Sequence, residues 1–277
     1  MARVEHYRIS GISMAHSISN VDECGNFPLH VHDHCEVYCF VSGNVKFIVE
    51  GRTYALSPGS LMMIRSAESH RVIVEDGEPY ERYVMNFRPE ILEEKGIPVE
   101  LMRLFTDREL GERNQYLPGQ FQGVEPLGIF RQMFSCCESM SQETVIYSYL
   151  TALLCAANAV FLNQPVLVEP KEVDRVGRKL LEYINAHLTE DMSLSSLSER
   201  IHMSPSQINR VFRRVTGTSV YHYIVTKRLI AAQELIIAGE SAISASQKCG
   251  FRDYSSFFRL YKKQMGTSPT EVKPLRE

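Results

Sequence analysis

The stretch that decides the fold is Ser241-Ala-Ile-Ser-Ala-Ser-Gln-Lys-Cys-Gly250-Phe251-Arg-Asp253-Tyr-Ser255-Ser-Phe257-Phe-Arg259-Leu-Tyr261-Lys262-Lys-Gln-Met-Gly266-Thr-Ser-Pro269. It reads as a short helix, a turn at Gly250, and a second helix opened by Asp253 as N-cap and closed by Gly266. On the second helix Phe257, Tyr261 and Met265 recur at i, i+4 and i+8, so one stripe is apolar. Ser255, Arg259 and Lys262 lie on a different stripe, polar and cationic. One side of such a helix packs on a scaffold, and the other suits a groove of duplex DNA.

The same plan stands upstream. Ser193 caps a short helix over Leu194 to Ile201, and His202-Met203 make the turn. Ser204 caps a second helix with Pro205 at its first position, and Gly217 ends it. Ile208, Phe212 and Val215 form the inner stripe; Ser206, Asn209, Arg210 and Arg213 form the outer one. Between the units, Ser219 to Ala238 reads as one helix. About twenty residues at 1.5 Å each give roughly 30 Å, close to the turn of B-DNA, about 34 Å.

At this point the chain resembles the AraC/XylS family of bacterial transcription regulators. The resemblance rests on Gly250-Phe251, Asp253, Ser255, Phe257, Arg259, Tyr261-Lys262, Gly266 and Ser268-Pro269. In the first unit it rests on Leu197, Ser204, Arg210, Phe212 and Gly217, and on the connecting helix on Tyr223, Arg228, Ala232 and Leu235. Three places depart from the family pattern: Ala245-Ser246 where Ile-Ala is usual, Ser198 where Ala is usual, and Val272-Lys273 where Tyr-Arg is common. By resemblance, the groove-facing residues are Ser206, Asn209 and Arg210 in the first unit and Tyr254, Ser255 and Arg259 in the second. Arg210 and Arg259 carry the chemistry for guanine, two donors for O6 and N7. Arg213, Arg214, Lys262 and Lys263 suit phosphates, which give affinity rather than sequence choice.

Charge is divided along the chain. Residues 171–277 hold 17 Lys and Arg against 11 Asp and Glu, a balance of +6; residues 1–170 hold 13 against 22, a balance of −9. That asymmetry fits one half that meets phosphate and one that does not. Seven cysteines, with no C-x-x-C spacing, read as reduced, buried small hydrophobes in a cytoplasmic protein. Met1 to His6 show no signal-peptide core. The longest apolar run, Leu150 to Leu162, is shorter than the ~20 residues a membrane span requires, so no membrane partner is expected.

The first half reads differently. From Phe27 to Phe87, turn signals at Gly43-Asn44, Glu50-Gly51, Pro58-Gly59 and Asp76-Gly77 punctuate short strands, the pattern of an all-β sandwich or barrel. Expected strands are Glu36–Val41, Lys46–Val49, Arg52–Leu56, Leu61–Ile64, Arg71–Val74 and Tyr80–Asn86, with one or two more before residue 26. Helices follow over Ile91–Glu94, Val99–Phe105, Val124–Met140 and Gln142–Leu162. The spacing His30-x-His32-x3-Glu36, with Pro58-Gly59 and His70, resembles the motifs of cupins, sensor domains often carried by this family. The resemblance implies His30, His32, Glu36 and His70 as ligands of a divalent metal. Imidazole and carboxylate suit Fe(II), Mn(II), Zn or Ni. The same residues serve equally to line a metal-free polar pocket, joined by Tyr38 and Arg65, or as plain structural groups.

On the last helix of this half, Val145, Tyr149, Ala152, Leu153, Ala156 and Val160 form an apolar stripe, read as a homodimer surface or a core face. The expected organisation is α+β in two domains. Residues 1–162 form a cupin-like β-barrel with a helical dimerisation segment, 163–172 a linker, and 173–277 an all-α double helix-turn-helix domain. The expected function is a small-molecule-responsive regulator, with activation the family-level expectation. Its partners are double-stranded DNA, an effector such as a sugar and, by resemblance, RNA polymerase. No cofactor is required beyond the optional metal. The alternative is a metal-dependent cupin enzyme with an accessory helical domain.

Overall fold

The computed structural model describes residues 3–19, 27, 29–75, 79–163, 171–172 and 175–272. The expected Asp76-Gly77 turn, Lys273 and most of the expected linker lie outside them. The protein is α+β, with a β-rich N-terminal unit and a helical C-terminal one. The first compact unit comprises Met1–Phe27 and His34–Lys171; the second comprises Pro28–Asp33 and Glu172–Glu277. Residues 28–33, expected within the first domain, thus group with the second.

The first unit runs β1 (Arg3–Ile9), β2 (Ile12–Ser19), β3 (Cys35–Ser42), β4 (Val45–Val49), β5 (Arg52–Ala55), β6 (Leu61–Ile64), β7 (His70–Val74) and β8 (Tyr80–Phe87). Then come α1 (Glu90–Glu94), α2 (Arg103–Thr106), β9 (Gln115–Tyr116), α3 (Pro126–Cys137), α4 (Gln142–Asn163) and β10 (Lys171–Glu172). One sheet has the order β1-β2-β8-β3-β6-β9 and the other β10-β5-β4-β7. The β4–β5 hairpin pairs Val49 with Arg52. Its two turn residues, Glu50 and Gly51, both take positive φ (45° and 76°), the requirement of the tight turn that Glu50-Gly51 signals.

Strand β3 is buried over seven of its eight residues. Alternation sends its two faces to different cores. Val37, Cys39 and Val41 join the core shared with α3 and α4. Tyr38 and Phe40 join the core containing Phe47, Tyr54, Met62 and Val72. A buried polar knot sits beside β6. Arg108 grips Glu68 with both Nη atoms (2.7 and 2.8 Å) and donates to the carbonyls of Met63 and Leu104. Glu68 also accepts from the backbone N–H of Gly111 and from Asn114 Nδ2. Neither side chain of the pair is exposed. Burial alone would raise the Glu68 carboxyl, but Arg108 and the backbone donors hold it down at about 2.

Helix α4 corrects two expectations. The helix has 22 residues, so it is longer than the apolar run seen in the sequence, and it is long and apolar enough to cross a bilayer by length and composition. Half of its most apolar window is buried inside the protein, as in a core helix. Its expected dimer stripe also turns inward: Val145, Leu153 and Val160 lie in the core, with Tyr149 and Ala156 packed against it. The exposed face is instead Ser148, Ala152, Cys155, Ala159 and Leu162. The helix is apolar on nearly every side, so period alone does not tell which stripe faces in. Cys155, exposed, also departs from the expectation of buried cysteines.

The second unit is helical: α5 (Arg175–Ala186), α6 (Leu194–Ile201), α7 (Pro205–Thr216), α8 (Val220–Ile237), α9 (Ala242–Lys248) and α10 (Tyr254–Met265). Leu180, Leu181 and Ile184 of α5 share a core with Leu197, Ile208, Phe212, Val215 and Tyr223. Leu229, Ala232 and Ile236 of α8 share a second core with Ala245, Phe257 and Tyr261. Helix α8 therefore contributes to both. Its 18 residues correspond to about 27 Å.

Candidate nucleic-acid interface

Each half of the second unit builds its outer helix by capping. Ser204 Oγ accepts from the N–H of Gln207, whose side chain accepts from the N–H of Ser204, with Pro205 at the first position. Both first-turn ends are thereby satisfied. Gly217, at φ 78°, closes α7 and donates to the Arg213 carbonyl. In the second half Asp253 accepts from the N–H of Ser256 at 2.7 Å, and Gly266, at φ 76°, closes α10. The turn between α6 and α7 puts His202 in the left-handed region, φ 55°.

These ends fix which face of each helix is outward. On α7, Ile208, Phe212 and Val215 are fully buried, while Ser206, Arg210, Arg213 and Arg214 are exposed. On α10, Phe257 and Tyr261 are fully buried, while Ser255, Arg259, Lys262 and Lys263 are exposed. Arg259 reaches back to Ser256 Oγ at 3.5 Å. Among the described residues, the side chains of Arg210, Arg213, Lys262 and Lys263 form no hydrogen bond or ion pair. Two expected readers sit less openly. Asn209 is half-buried and, among the described residues, its enclosed Oδ1 has no hydrogen-bond partner. Tyr254 is half-buried, its ring 5.8 Å from that of Phe257 and 6.3 Å from that of Phe258.

The departures from the family pattern are accommodated. Ser198 Oγ donates to the Met203 carbonyl at 2.6 Å, across the turn before α7. Ser246 is buried, and its hydroxyl donates to the Ile243 carbonyl at 2.8 Å. Val272 packs against the second core.

One residue that sequence reasoning left without a role ties the two halves. From α8, Arg228 donates through Nε to the Leu188 carbonyl (2.7 Å), through Nη1 to Gly250 (2.8 Å) and through Nη2 to Glu190 (2.5 Å). Its only signal in the sequence was its place among the family marks. Gln264 of α10 adds a bond to Thr226 of α8 at 2.8 Å.

Of the expected sensor residues, Tyr38 is buried, its hydroxyl paired with that of Tyr80 at 2.8 Å and its ring edge-on to Phe47. The backbone N–H of Arg65 donates to Glu68 and its guanidinium to the Arg108 carbonyl, so it borders the polar knot. Glu36 and His70 are buried and lie 3.7 Å apart. Burial would lower His70, but the Glu36 carboxylate and the Glu68 carbonyl hold it above the usual histidine value. The rings of His30 and His32 are 5.8 Å apart. His30 and His32 belong to the second compact unit, and Glu36 and His70 to the first.

Comparison with known proteins finds one family model in each half of the chain. The AraC-like ligand binding domain family matches residues 24–143, and a helix-turn-helix domain family matches residues 197–274. The probable transcriptional regulator LumQ of Photobacterium leiognathi is 33% identical over 107 residues, which cover 38% of this chain and 43% of LumQ. The HTH-type transcriptional activator RhaS of Escherichia fergusonii is 23% identical over 265 residues, covering 91% of this chain and 90% of RhaS. Among solved structures, apo ToxT from Vibrio cholerae aligns over 95% of this chain and 97% of its own, with 11% identity and a TM-score of 0.42. A sensor domain of this type followed by a double helix-turn-helix unit identifies the chain as a member of the AraC/XylS family of transcription regulators.

Proposed function

We propose that this chain is a ligand-responsive regulator that reads duplex DNA through α7 and α10. One observation carries the reading: two capped helices each bury an apolar stripe and leave a cationic stripe uncommitted. Arg210 and Arg259 read guanine edges, with Ser206 and Ser255 beside them. Arg213 and Lys262 hold phosphates. Asn209 and Tyr254 take part after a change of rotamer, given their half-buried positions. RhaS is named an activator, and activation through RNA polymerase is the corresponding proposal here. Binding, not turnover, is the activity, and the cytoplasm is where it acts. Dimerisation, if carried by α4, uses its exposed Ala152, Cys155, Ala159 and Leu162 face.

The test is titration of the full chain against its own promoter region at several salt concentrations. Affinity should fall steeply with salt, as release of counterions requires. Salt-independent or absent binding would sink the reading.

The effector site belongs to the β unit, and a sugar is the proposed class. A second reading is that His30, His32, Glu36 and His70 hold a divalent metal, as the resemblance to cupins implies. Two or three imidazoles and a carboxylate fit a divalent transition metal, which would anchor an effector's oxygen atoms there. Such ligation requires His70 to give up its proton, against the pull of Glu36. Metal analysis of purified protein, with His32→Ala as control, separates a metal centre from a metal-free polar pair.

A further inference from the structure

The two outer helices of the helical unit align cap to cap in sequence. Setting Ser204 beside Asp253 brings Gly217 onto Gly266. It also brings Ile208 onto Phe257 and Phe212 onto Tyr261, all fully buried, and Arg210 onto Arg259, both exposed. One slot on the rim of the cationic stripe changes its chemistry. Where α7 carries Asn209, an amide suited to a base edge, α10 carries Phe258.

Phe258 is not a core residue. Its chain neighbour Phe257 is fully buried, with the rings of Phe251, Tyr254 and Tyr261 at 5.1, 5.8 and 5.4 Å. Among the described residues, Phe258 joins neither apolar core of the unit, and its one ring contact is with Tyr254, tilted, at 6.3 Å. Residues three and four apart on a helix are neighbours. Phe258 therefore stands beside Ser255 and Lys262, both exposed, with Arg259 next along the chain. The half-buried ring leaves apolar area in water, and a partner surface that covers it gains the corresponding free energy. In the major groove the apolar group on offer is the 5-methyl of thymine, and phenylalanine is among the side chains that meet it.

We propose that Phe258 is a specificity residue that packs on a thymine methyl close to the guanine taken by Arg259. The inference rests on the DNA-reading function given above and adds the base that the second helix selects. The two half-sites are then read differently: through an amide at Asn209 under α7, and through an apolar contact at Phe258 under α10. Lys262, one turn further on, holds a phosphate on the same edge of the helix and keeps the ring against the groove.

The experiment uses the full chain and a duplex that the wild-type protein selects from a random pool, with binding read by fluorescence anisotropy. Each thymine of that duplex is replaced in turn by deoxyuridine, which removes the methyl alone. One replacement, close to the guanine whose readout Arg259→Ala abolishes, should weaken wild-type binding by about fourfold, the effect of uncovering one buried methyl. In Phe258→Ala and Phe258→Gln the thymine and deoxyuridine duplexes should bind alike. Both variants should unfold close to the wild-type midpoint, whereas Phe257→Ala should unfold far below it. Wild-type binding that is indifferent to every deoxyuridine overturns the proposal. So does a thymine preference that survives in Phe258→Ala, because another group would then meet the methyl. A stability loss in Phe258→Ala as large as that in Phe257→Ala overturns it too, since the ring would then be a core group. Those three outcomes leave the DNA-reading function standing; a wild-type chain that selects no duplex would sink that function itself, and this proposal with it.

Discussion

The guanidinium of Arg228 meets the backbone of Gly250 at the one place where that turn carries no side chain. A Cβ at Gly250 would lie 2.6 Å from the Thr189 carbonyl oxygen and 3.0 Å from Arg228 Cζ. The backbone there is also left-handed, φ 81°. Gly250 is required twice over, for conformation and for room. Gly250→Ala should therefore destabilise the helical unit by about 2 kcal/mol or more. Arg228→Ala, which strands three carbonyls, should do at least as much. Urea denaturation followed by circular dichroism measures both, and a loss below a few tenths would refute the clamp.

The Glu68–Arg108 pair predicts acid sensitivity of the sensor unit. Glu68 holds its proton less tightly when folded, at about 2 against an ordinary 4.5. Its contribution is fully present above the ordinary value and disappears as pH falls from there toward 2. The shift corresponds to about 3 kcal/mol. Glu68→Gln should remove that part of the acid dependence. At neutral pH it should also cost about 3–5 kcal/mol, because Arg108 stays buried without its countercharge. Unfolding midpoints at pH 7, 4 and 3 test this; parallel acid profiles for variant and wild type would contradict it.

Helix α5 rests on α7 through a glycine. A Cβ at Gly177 would overlap Val215 Cγ2 and press on Val211. Gly177→Ala should gain helix propensity yet still lose about 1–3 kcal/mol through overpacking. Val215→Ala in the same chain should return part of that loss. If the single variant is more stable than wild type, the contact has been misread.

The two cationic stripes predict different mutant behaviour. Arg210→Ala and Arg259→Ala should lower specific binding by about tenfold or more while changing nonspecific binding less. Lys262→Ala and Arg213→Ala should weaken all duplexes alike and reduce the salt slope by about one. Identical ratios in both pairs would mean that neither arginine reads bases.

Most of the helical unit was legible because its boundaries are written in local chemistry. Ser193, Ser204, Asp253, Gly217 and Gly266 act on the turn next to them, and all cap or close the helices as expected. Strand Leu61–Ile64 was equally plain from its apolar run. Long-range partners were not legible. Arg228 binds carbonyls 40 and 22 positions away, and the Glu68–Arg108 pair also spans 40. Helix α5 escaped notice, and β9, two residues long, leaves no period to detect. The sequence left the α4 stripe open between a partner surface and a core face because apolar residues surround the helix. The grouping of Leu29–Asp33 with the helical unit was not legible because residues ahead of a strand give no hint of where they pack.

Strand β3 offers a practical return. Its odd-numbered side chains, Val37 and Cys39, sense the helical layer, while Tyr38 and Phe40 sense the space between the sheets. A fluorine label on Tyr38 and exchange of the Cys39 thiol would thus report, from adjacent positions, on two compartments of the sensor. If an effector loosens one compartment and tightens the other, the paired signals would move in opposite directions and reveal where it enters.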